Sequence, residues 1–242
     1  MSAAPQLLLD PPPQRAPRPA RGSTGLPPFR PGEVLRRGLN VSVAAVALVL
    51  TAPVMLVIAI AITLTSRGPI FFTQTRVGIN RRRLLPVGTR YRLTDRGGRP
   101  FRIYKFRTMA QNGHAASTEM WATPDDPRVT SIGRILRQYR LDELPQLLNV
   151  LRGDMDIVGP RPEQPGIFRK LREQIDSYQR RQRVRPGITG WAQINQQYDR
   201  NIEDVKKKLQ YDLEYIARQS TTEDLRIMLR TLPVVVGKQG AW

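Results

Sequence analysis

The chain has 242 residues, with 39 Lys and Arg against 20 Asp and Glu, a net charge of +19. Such an excess implies an anionic partner: lipid headgroups, phosphorylated substrates or nucleic acid. The absence of cysteine excludes a disulfide framework and thiolate chemistry, and one histidine, His114, makes histidine-rich metal sites and a Ser-His-Asp triad poor expectations.

Residues 1–32 are rich in Pro, Arg and Ala, with Pro11-Pro12-Pro13 and Pro27-Pro28 opposing a helix. They read as a disordered arm, not as a cleavable signal peptide, because the Pro-rich lead precedes any apolar core. Residues 33–66 read as a membrane helix: Val41 to Leu64 carries no charge and is long enough to cross a bilayer. A spanning helix has its basic residues mainly on one side. Here Arg36 and Arg37 precede the run, and Arg67, Arg76 and Arg81-Arg82-Arg83 follow it. Both ends therefore read as cytoplasmic, and Pro53 removes a backbone hydrogen bond in between. A re-entrant helix–break–helix around Ala52-Pro53 satisfies both facts; a spanning helix kinked at Pro53 is the alternative.

Residues 67–242 read as the cytosolic domain. Pro69 to Thr73 is a short β-type run, followed by a basic, Gly-containing insertion at about 80–99. Phe101 to Thr108 alternates apolar and basic residues like a strand with one wet face carrying Arg102, Lys105 and Arg107. Phe101, Ile103 and Phe106 cannot share one face of a regular strand, so a bulge or turn is expected near Lys105. Thr130 to Leu151 is the best helical stretch, with Ile132, Ile135, Leu136, Tyr139 and Leu147 on one stripe. Glu143 falls on that stripe, and a carboxylate among apolar residues must be paired, protonated or at a site. Pro145 sets a helix discontinuity beside the Asp142-Glu143 pair.

Adjacent acids among fixed cations (Arg137, Arg140, Arg152, Arg161) suit phosphate chemistry with a divalent metal. Arg161 lies in a rigid Gly/Pro loop, Gly153 to Pro162, and Arg185 in a second, Val184 to Trp191. Residues 163–182 read as a polar, basic helix over the site or on the membrane surface. Trp191 is a candidate interfacial anchor, stacking partner or core residue. The last helical stretch repeats Leu225, Met228, Leu229 and Leu232 with Arg226 and Arg230 opposite, which suits a membrane surface or packing against the domain. The fold class expected is α/β, mostly helical: a membrane-associated domain with an N-terminal re-entrant helix and surface amphipathic helices.

The motif blocks, in order, are Gly68 to Gly78, Tyr104 to Met109, Asp126 to Thr130, Leu141 to Gln146, Gly153 to Met155, Val158 to Pro162 and Val184 to Gln193. In this order and spacing the chain resembles the bacterial sugar transferases, monotopic polyprenyl-phosphate phosphoglycosyl transferases of exopolysaccharide and glycoconjugate synthesis, in their short form. The resemblance covers about residues 34–236. It implies transfer of a sugar 1-phosphate from a nucleotide diphosphate sugar to undecaprenyl phosphate, with UMP released from a UDP-sugar. It further implies Asp142 as nucleophile through a phosphosugar–aspartyl intermediate, with ping-pong kinetics, and Glu143 as its partner. Mg²⁺ is implied at the pair, with Asp142 as its ligand. Arg137, Arg161 and Arg185 match phosphate-binding positions, and Lys105 has a supporting role.

Membrane lipids are the implied surroundings, at the cytoplasmic face of a bacterial inner membrane. Whether the chain forms a homodimer is left open. Three departures stand out: Asn40 replaces the family's usual Asp, the break is Ala-Pro where several relatives have Ser-Pro, and the insertion at about 80–99 exceeds their short turn. The rival readings are a membrane-tethered binder of nucleic acid or another anionic polymer, and a scaffold without catalysis. No nucleic-acid motif occurs, and the Arg residues are spread beside carboxylates instead of forming one basic stripe, so no nucleic-acid partner is expected.

Overall fold

A computed structural model describes residues 31–80, 97–110, 126–196 and 201–237. His114, most of the N-terminal arm and most of the basic insertion lie outside them. The described residues are mostly helical, with two small sheets. In chain order they form helix α1 (Pro31–Thr65), strands β1 (Phe71–Val77) and β2 (Pro100–Phe106), and helix α2 (Ser131–Gln138). A 3-10 turn (Leu141–Glu143), helix α3 (Gln146–Arg152), strand β3 (Asp156–Val158) and helix α4 (Pro165–Gln174) follow. A second 3-10 segment (Tyr178–Arg183), strand β4 (Gly187–Thr189) and helices α5 (Trp191–Asn195), α6 (Ile202–Arg218) and α7 (Thr221–Val236) complete the described fold. Strands β1 and β2 pair antiparallel, and β3 pairs parallel with β4.

Helix α1 runs through Ala52-Pro53 as one 35-residue helix, not as two helices with a gap. Just before the proline and its missing N–H, the Thr51 hydroxyl donates to the Ala47 carbonyl at 2.7 Å, a local bond that favours bending. The middle of the helix exposes Val49, Leu50, Leu56 and Val57, whereas both ends are attached to the rest of the fold.

At the N-terminal end, Arg36 meets Asp156 at 2.8 Å and Asp224 at 3.3 Å, and Arg37 donates to Asp156 at 2.9 Å. Asn40, fully buried, accepts from the Ile157 N–H at 2.6 Å and donates to the Arg36 carbonyl at 2.8 Å. The two arginines that precede the apolar run are thus structural partners of buried acids. Position 40 is equally committed, because its amide both accepts from β3 and donates within α1. At the C-terminal end, the buried Arg107 donates to the Ser66 carbonyl at 2.7 Å and the Arg67 carbonyl at 2.8 Å. It satisfies carbonyls that the helix end leaves unpaired and complements the negative end of the helix dipole. Arg107 is therefore not on a wet face.

The β1–β2 register runs one to one from Phe71↔Phe106 to Val77↔Pro100, so the bulge expected near Lys105 is absent. The alternation is satisfied because apolar surface covers both faces. Phe101 and Ile103 join a core with α3, β3, Tyr215 and Ile227, while Phe106 packs with Ile58, Ile62 and Leu136 between α1 and α2. Lys105 shares the face of Phe101 and Ile103 and is directed inward. Helix α4 also differs from its polar appearance. Ile167, Phe168 and Leu171 bury against Val77, Tyr178, Val205 and Leu209 in a separate core. On α7, Ile227 is fully buried whereas Leu225, Leu229 and Leu232 face outward, as a surface helix requires.

Arg107→Met should cost about 1.5–3 kcal/mol, the range for hydrogen bonds to a charged group. Thermal unfolding in detergent measures it; an unchanged midpoint would show that α1 does not depend on this cap.

Candidate active site

The expected long helix across Thr130 to Leu151 ends early. Thr130 caps α2 by accepting from the Gly133 N–H at 3.0 Å, and Arg140 closes the helix in the left-handed conformation, φ 55°. The chain then makes the 3-10 turn, and Pro145 opens α3 with φ −62°, close to the value its ring imposes. The reversal alters the expected stripe: Leu136 is buried, but Ile135 and Tyr139 are exposed. Asp142 and Glu143 are nonetheless turned inward, 7% and 6% exposed.

Cations converge on them from distant elements. Lys105, from β2, reaches Glu143 Oε1 at 2.7 Å and Asp142 Oδ2 at 3.6 Å. Arg161 reaches the same Glu143 oxygen at 2.8 Å. Arg137 lies in the last turn of α2, with its Nε donating to the Thr108 hydroxyl at 3.0 Å. Arg185, by contrast, is brought to Asp156 at 3.9 Å, beside the α1 anchor.

The Arg161 loop is fixed by backbone contact with the second Gly/Pro loop. The Gly159 N–H donates to the Thr189 carbonyl at 2.9 Å, and the Gly187 N–H to the Pro160 carbonyl at 3.0 Å. A Cβ on Gly187 would lie 2.1 Å from the Gly159 nitrogen, so only glycine permits this approach.

The two carboxyls have different electrostatic fates. Burial raises Asp142, Lys105 pulls it down, and the Glu143 charge pushes it up again; the net direction is up. Burial also raises Glu143, but the Arg161 and Lys105 charges outweigh it and hold Glu143 well below the usual carboxylate range. Glu143 is thus an ionised hub already committed to two cations. Asp142 has only the long approach of Lys105 among its described polar contacts, so its oxygens remain available for a new bond.

Among the described residues no cluster of three or more His, Cys, Asp or Glu side chains could cage a metal. A carboxylate with uncommitted oxygens does fit Mg²⁺, which is usually held by one or two carboxylates together with substrate phosphates and water.

Sequence reasoning missed a buried ionic network behind the site. The fully buried Arg181 meets Asp212 at 2.7 Å and Glu163 at 3.1 Å, and donates to the Tyr178 hydroxyl at 2.6 Å and the Arg161 carbonyl at 3.0 Å. Lys208 adds a 2.9 Å contact to Glu163, and Arg76 donates to the Pro162 carbonyl at 3.2 Å. The network holds the backbone that presents Arg161. Arg181 sits in a basic run with no signal of burial. Asp212, however, lies on the α6 stripe of Val205 and Leu209, the same pattern that singled out Glu143. Trp191 is a junction: its indole N–H donates to Glu214 at 2.8 Å, and the Arg218 and Arg230 guanidiniums lie 5.3 and 5.6 Å from its ring centroid.

A model of the family described as bacterial sugar transferase matches residues 32–238. The chain is 39% identical over 207 residues to a UDP-N-acetylgalactosamine-undecaprenyl-phosphate N-acetylgalactosaminephosphotransferase of Aeromonas hydrophila, covering 86% of this chain and 45% of that protein. It is 39% identical over 202 residues to the UDP-glucose:undecaprenyl-phosphate glucose-1-phosphate transferase of Escherichia coli K12, covering 82% and 39%. A Caulobacter vibrioides protein of the same description is 38% identical over 230 residues, covering 91% of this chain and 79% of its own length. The chain thus spans less than half of the first two relatives and most of the third.

The opposed carboxyl environments predict opposite effects on stability. A carboxyl raised by folding weakens the fold as pH rises from the ordinary carboxyl range through its folded value, so Asp142→Asn should leave the unfolding midpoint at pH 7 unchanged or higher. A carboxyl lowered by folding contributes stability at neutral pH that is lost as pH falls from the ordinary range toward its folded value. Glu143→Gln should therefore lower the midpoint. The cost should fall short of the roughly 3–5 kcal/mol of a fully buried pair, because the Arg161 side chain is 37% exposed and reaches water. Thermal melts of both variants at pH 7 check this, and equal destabilisation would contradict the division of roles.

Proposed function

The chain belongs to the bacterial sugar transferase family, and we propose that it transfers a sugar 1-phosphate from a UDP-sugar to undecaprenyl phosphate through a covalent intermediate on Asp142. The observation that carries this reading is the asymmetry of the pair: Glu143 is bound by Lys105 and Arg161, while Asp142 is buried with uncommitted oxygens.

In the first half-reaction an Asp142 carboxylate oxygen bonds to the phosphorus that carries the sugar. The bond from that phosphorus to the bridging oxygen breaks, and UMP leaves with the electron pair. In the second, an oxygen of the lipid phosphate attacks the same phosphorus and the bond to Asp142 breaks, restoring the carboxylate. A phosphate dianion needs no general base, so neither step requires a proton from the acceptor. Lys105 and Arg161 lie where phosphate oxygens would sit beside Asp142, and Arg137 approaches from α2. Glu143 holds the first two cations in place. Arg185 is assigned to the donor side on its loop and the family resemblance. Mg²⁺, held by Asp142 with the donor diphosphate, would neutralise the charge that builds on the departing nucleotide.

The attachments of α1 support a re-entrant path on the cytoplasmic face of the membrane. Arg36, Arg37 and Asn40 fasten one end and Arg107 the other to the same domain. A helix bound at both ends to one domain does not place them on opposite sides of a hydrocarbon layer about 30 Å thick. Exposed Leu229 and Leu232 of α7 and the apolar middle of α1 would then meet the same lipid surface, putting Asp142 near headgroup level. The activities of the relatives make a role in initiating exopolysaccharide or glycoconjugate assembly the natural extension. A scaffold without catalysis would need neither an uncommitted Asp142 nor its cations.

The direct assay is UMP release from a panel of UDP-sugars by detergent-extracted protein with undecaprenyl phosphate and Mg²⁺. Release with one sugar and its loss in Asp142→Asn is the expected outcome; normal turnover by a folded Asp142→Asn protein sinks the nucleophile assignment.

A further inference from the structure

Beside the carboxylate pair lies a cavity of about 240 Å³ that the chemistry above does not use. Leu144, Leu147, Ile188, Ile194 and Val234 form an apolar part of its wall, drawn from α3 and the segment before it, β4, α5 and α7. A hydrogen bond of 2.8 Å between the Thr189 and Thr231 hydroxyls ties β4 to α7 along it.

The lining of the cavity runs from Glu143, nearly inaccessible, to Tyr139, 39% exposed. One turn before Tyr139, on the same face of α2, Ile135 is 55% exposed, so the apolar lining continues onto apolar outer surface. Arg140 also lines the cavity, and its charge, like those of Arg161 and Lys105, acts on Glu143. The wall is therefore ionic where it meets Glu143, with the Lys105 and Arg161 cations on that carboxylate, and mainly apolar elsewhere, with Thr189, Gln193 and Thr231 as its polar exceptions.

A ligand that matches has an apolar body and one anionic end. A sugar nucleotide, polar along its whole length, would leave hydrogen-bonding groups unpaired against these walls. The volume is below the roughly 300–1,000 Å³ that encloses a drug-sized ligand, so it seats a segment of a longer molecule. We propose that this groove binds the head-proximal isoprene units of the polyprenyl phosphate acceptor, directing its phosphate toward Asp142 while the rest of the chain leaves past Tyr139 and Ile135 into the bilayer. The assignment rests on the reading of the chain as a polyprenyl-phosphate transferase.

The test is photolabelling of the full chain in nanodiscs by a short polyprenyl phosphate carrying a diazirine on its second isoprene unit. Label should map to the segments around Leu144, Ile188 to Ile194 and Val234, and should be displaced by undecaprenyl phosphate but not by UDP-sugar. Val234→Trp, which fills the groove, should raise KM for undecaprenyl phosphate about tenfold or more, as expected for lost burial of several methylenes. The defect should fall on the acceptor step and not on KM for the UDP-sugar. If Val234→Trp does not fold, Ile194→Ala, which widens the same groove, should weaken the acceptor in the same assay. Label on α1 alone or elsewhere, displacement by UDP-sugar, or a raised KM for the UDP-sugar would each overturn the assignment; the last two would give the groove to the donor. Specific, displaceable label in a protein that releases no UMP would uphold the groove and refute the reaction.

Discussion

Two acids adjacent in sequence and both buried cannot share one electrostatic environment at low cost, and the site depends on how that conflict is resolved. Lys105 and Arg161 both bind one oxygen of Glu143, which leaves Asp142 with one longer contact, to Lys105. Like charges at such proximity drive their proton affinities apart. The pair therefore divides into an ionised organiser and a carboxylate able to form a bond. Each feature that brings Lys105 or Arg161 to Glu143 serves this division: the inward face of β2, the glycine contacts between the two loops, and the early end of α2 at Arg140.

Behind the site, buried arginines do what a larger apolar core does elsewhere. Arg36, Arg107 and Arg181 each join segments far apart in the chain. Burial of a guanidinium is costly unless its donors are met, and here carboxylates and main-chain carbonyls meet the terminal nitrogens, while the Nε atoms of Arg107 and Arg181 stay unpaired. Two of the three fasten the ends of α1. The third fixes the main chain at Arg161. The membrane helix and the chemical site are consequently parts of one scaffold, and the groove between α3, α5 and α7 opens from that site toward the apolar surface.

Much of the site could be read from residue order because short-range patterns carry it. Glu143 was marked by an apolar stripe and Asp142 by adjacency, and both are buried even though the helix that defined the stripe ends at Arg140. The stripe misled for Ile135 and Tyr139, because the reversal at Arg140 sends the two halves in different directions. Alternation along β2 found the strand but misjudged Arg107, since a second apolar face, supplied by α1, could not be inferred from the strand itself. The basic flanks of α1 were read through the charge rule for membranes. Their partners Asp156 and Asp224 lie more than a hundred residues away, and no local pattern pairs them. Asp212 was legible by the logic applied to Glu143, whereas Arg181, in a run of basic residues, was not.

The central claim is the covalent bond to Asp142. Protein incubated with its UDP-sugar and Mg²⁺ in the absence of acceptor, then quenched and digested, can be analysed by mass spectrometry. The account predicts a sugar-phosphate adduct on the peptide containing Asp142, removed by adding undecaprenyl phosphate before the quench. An adduct on Glu143, or UMP release with no adduct on any residue, would contradict it.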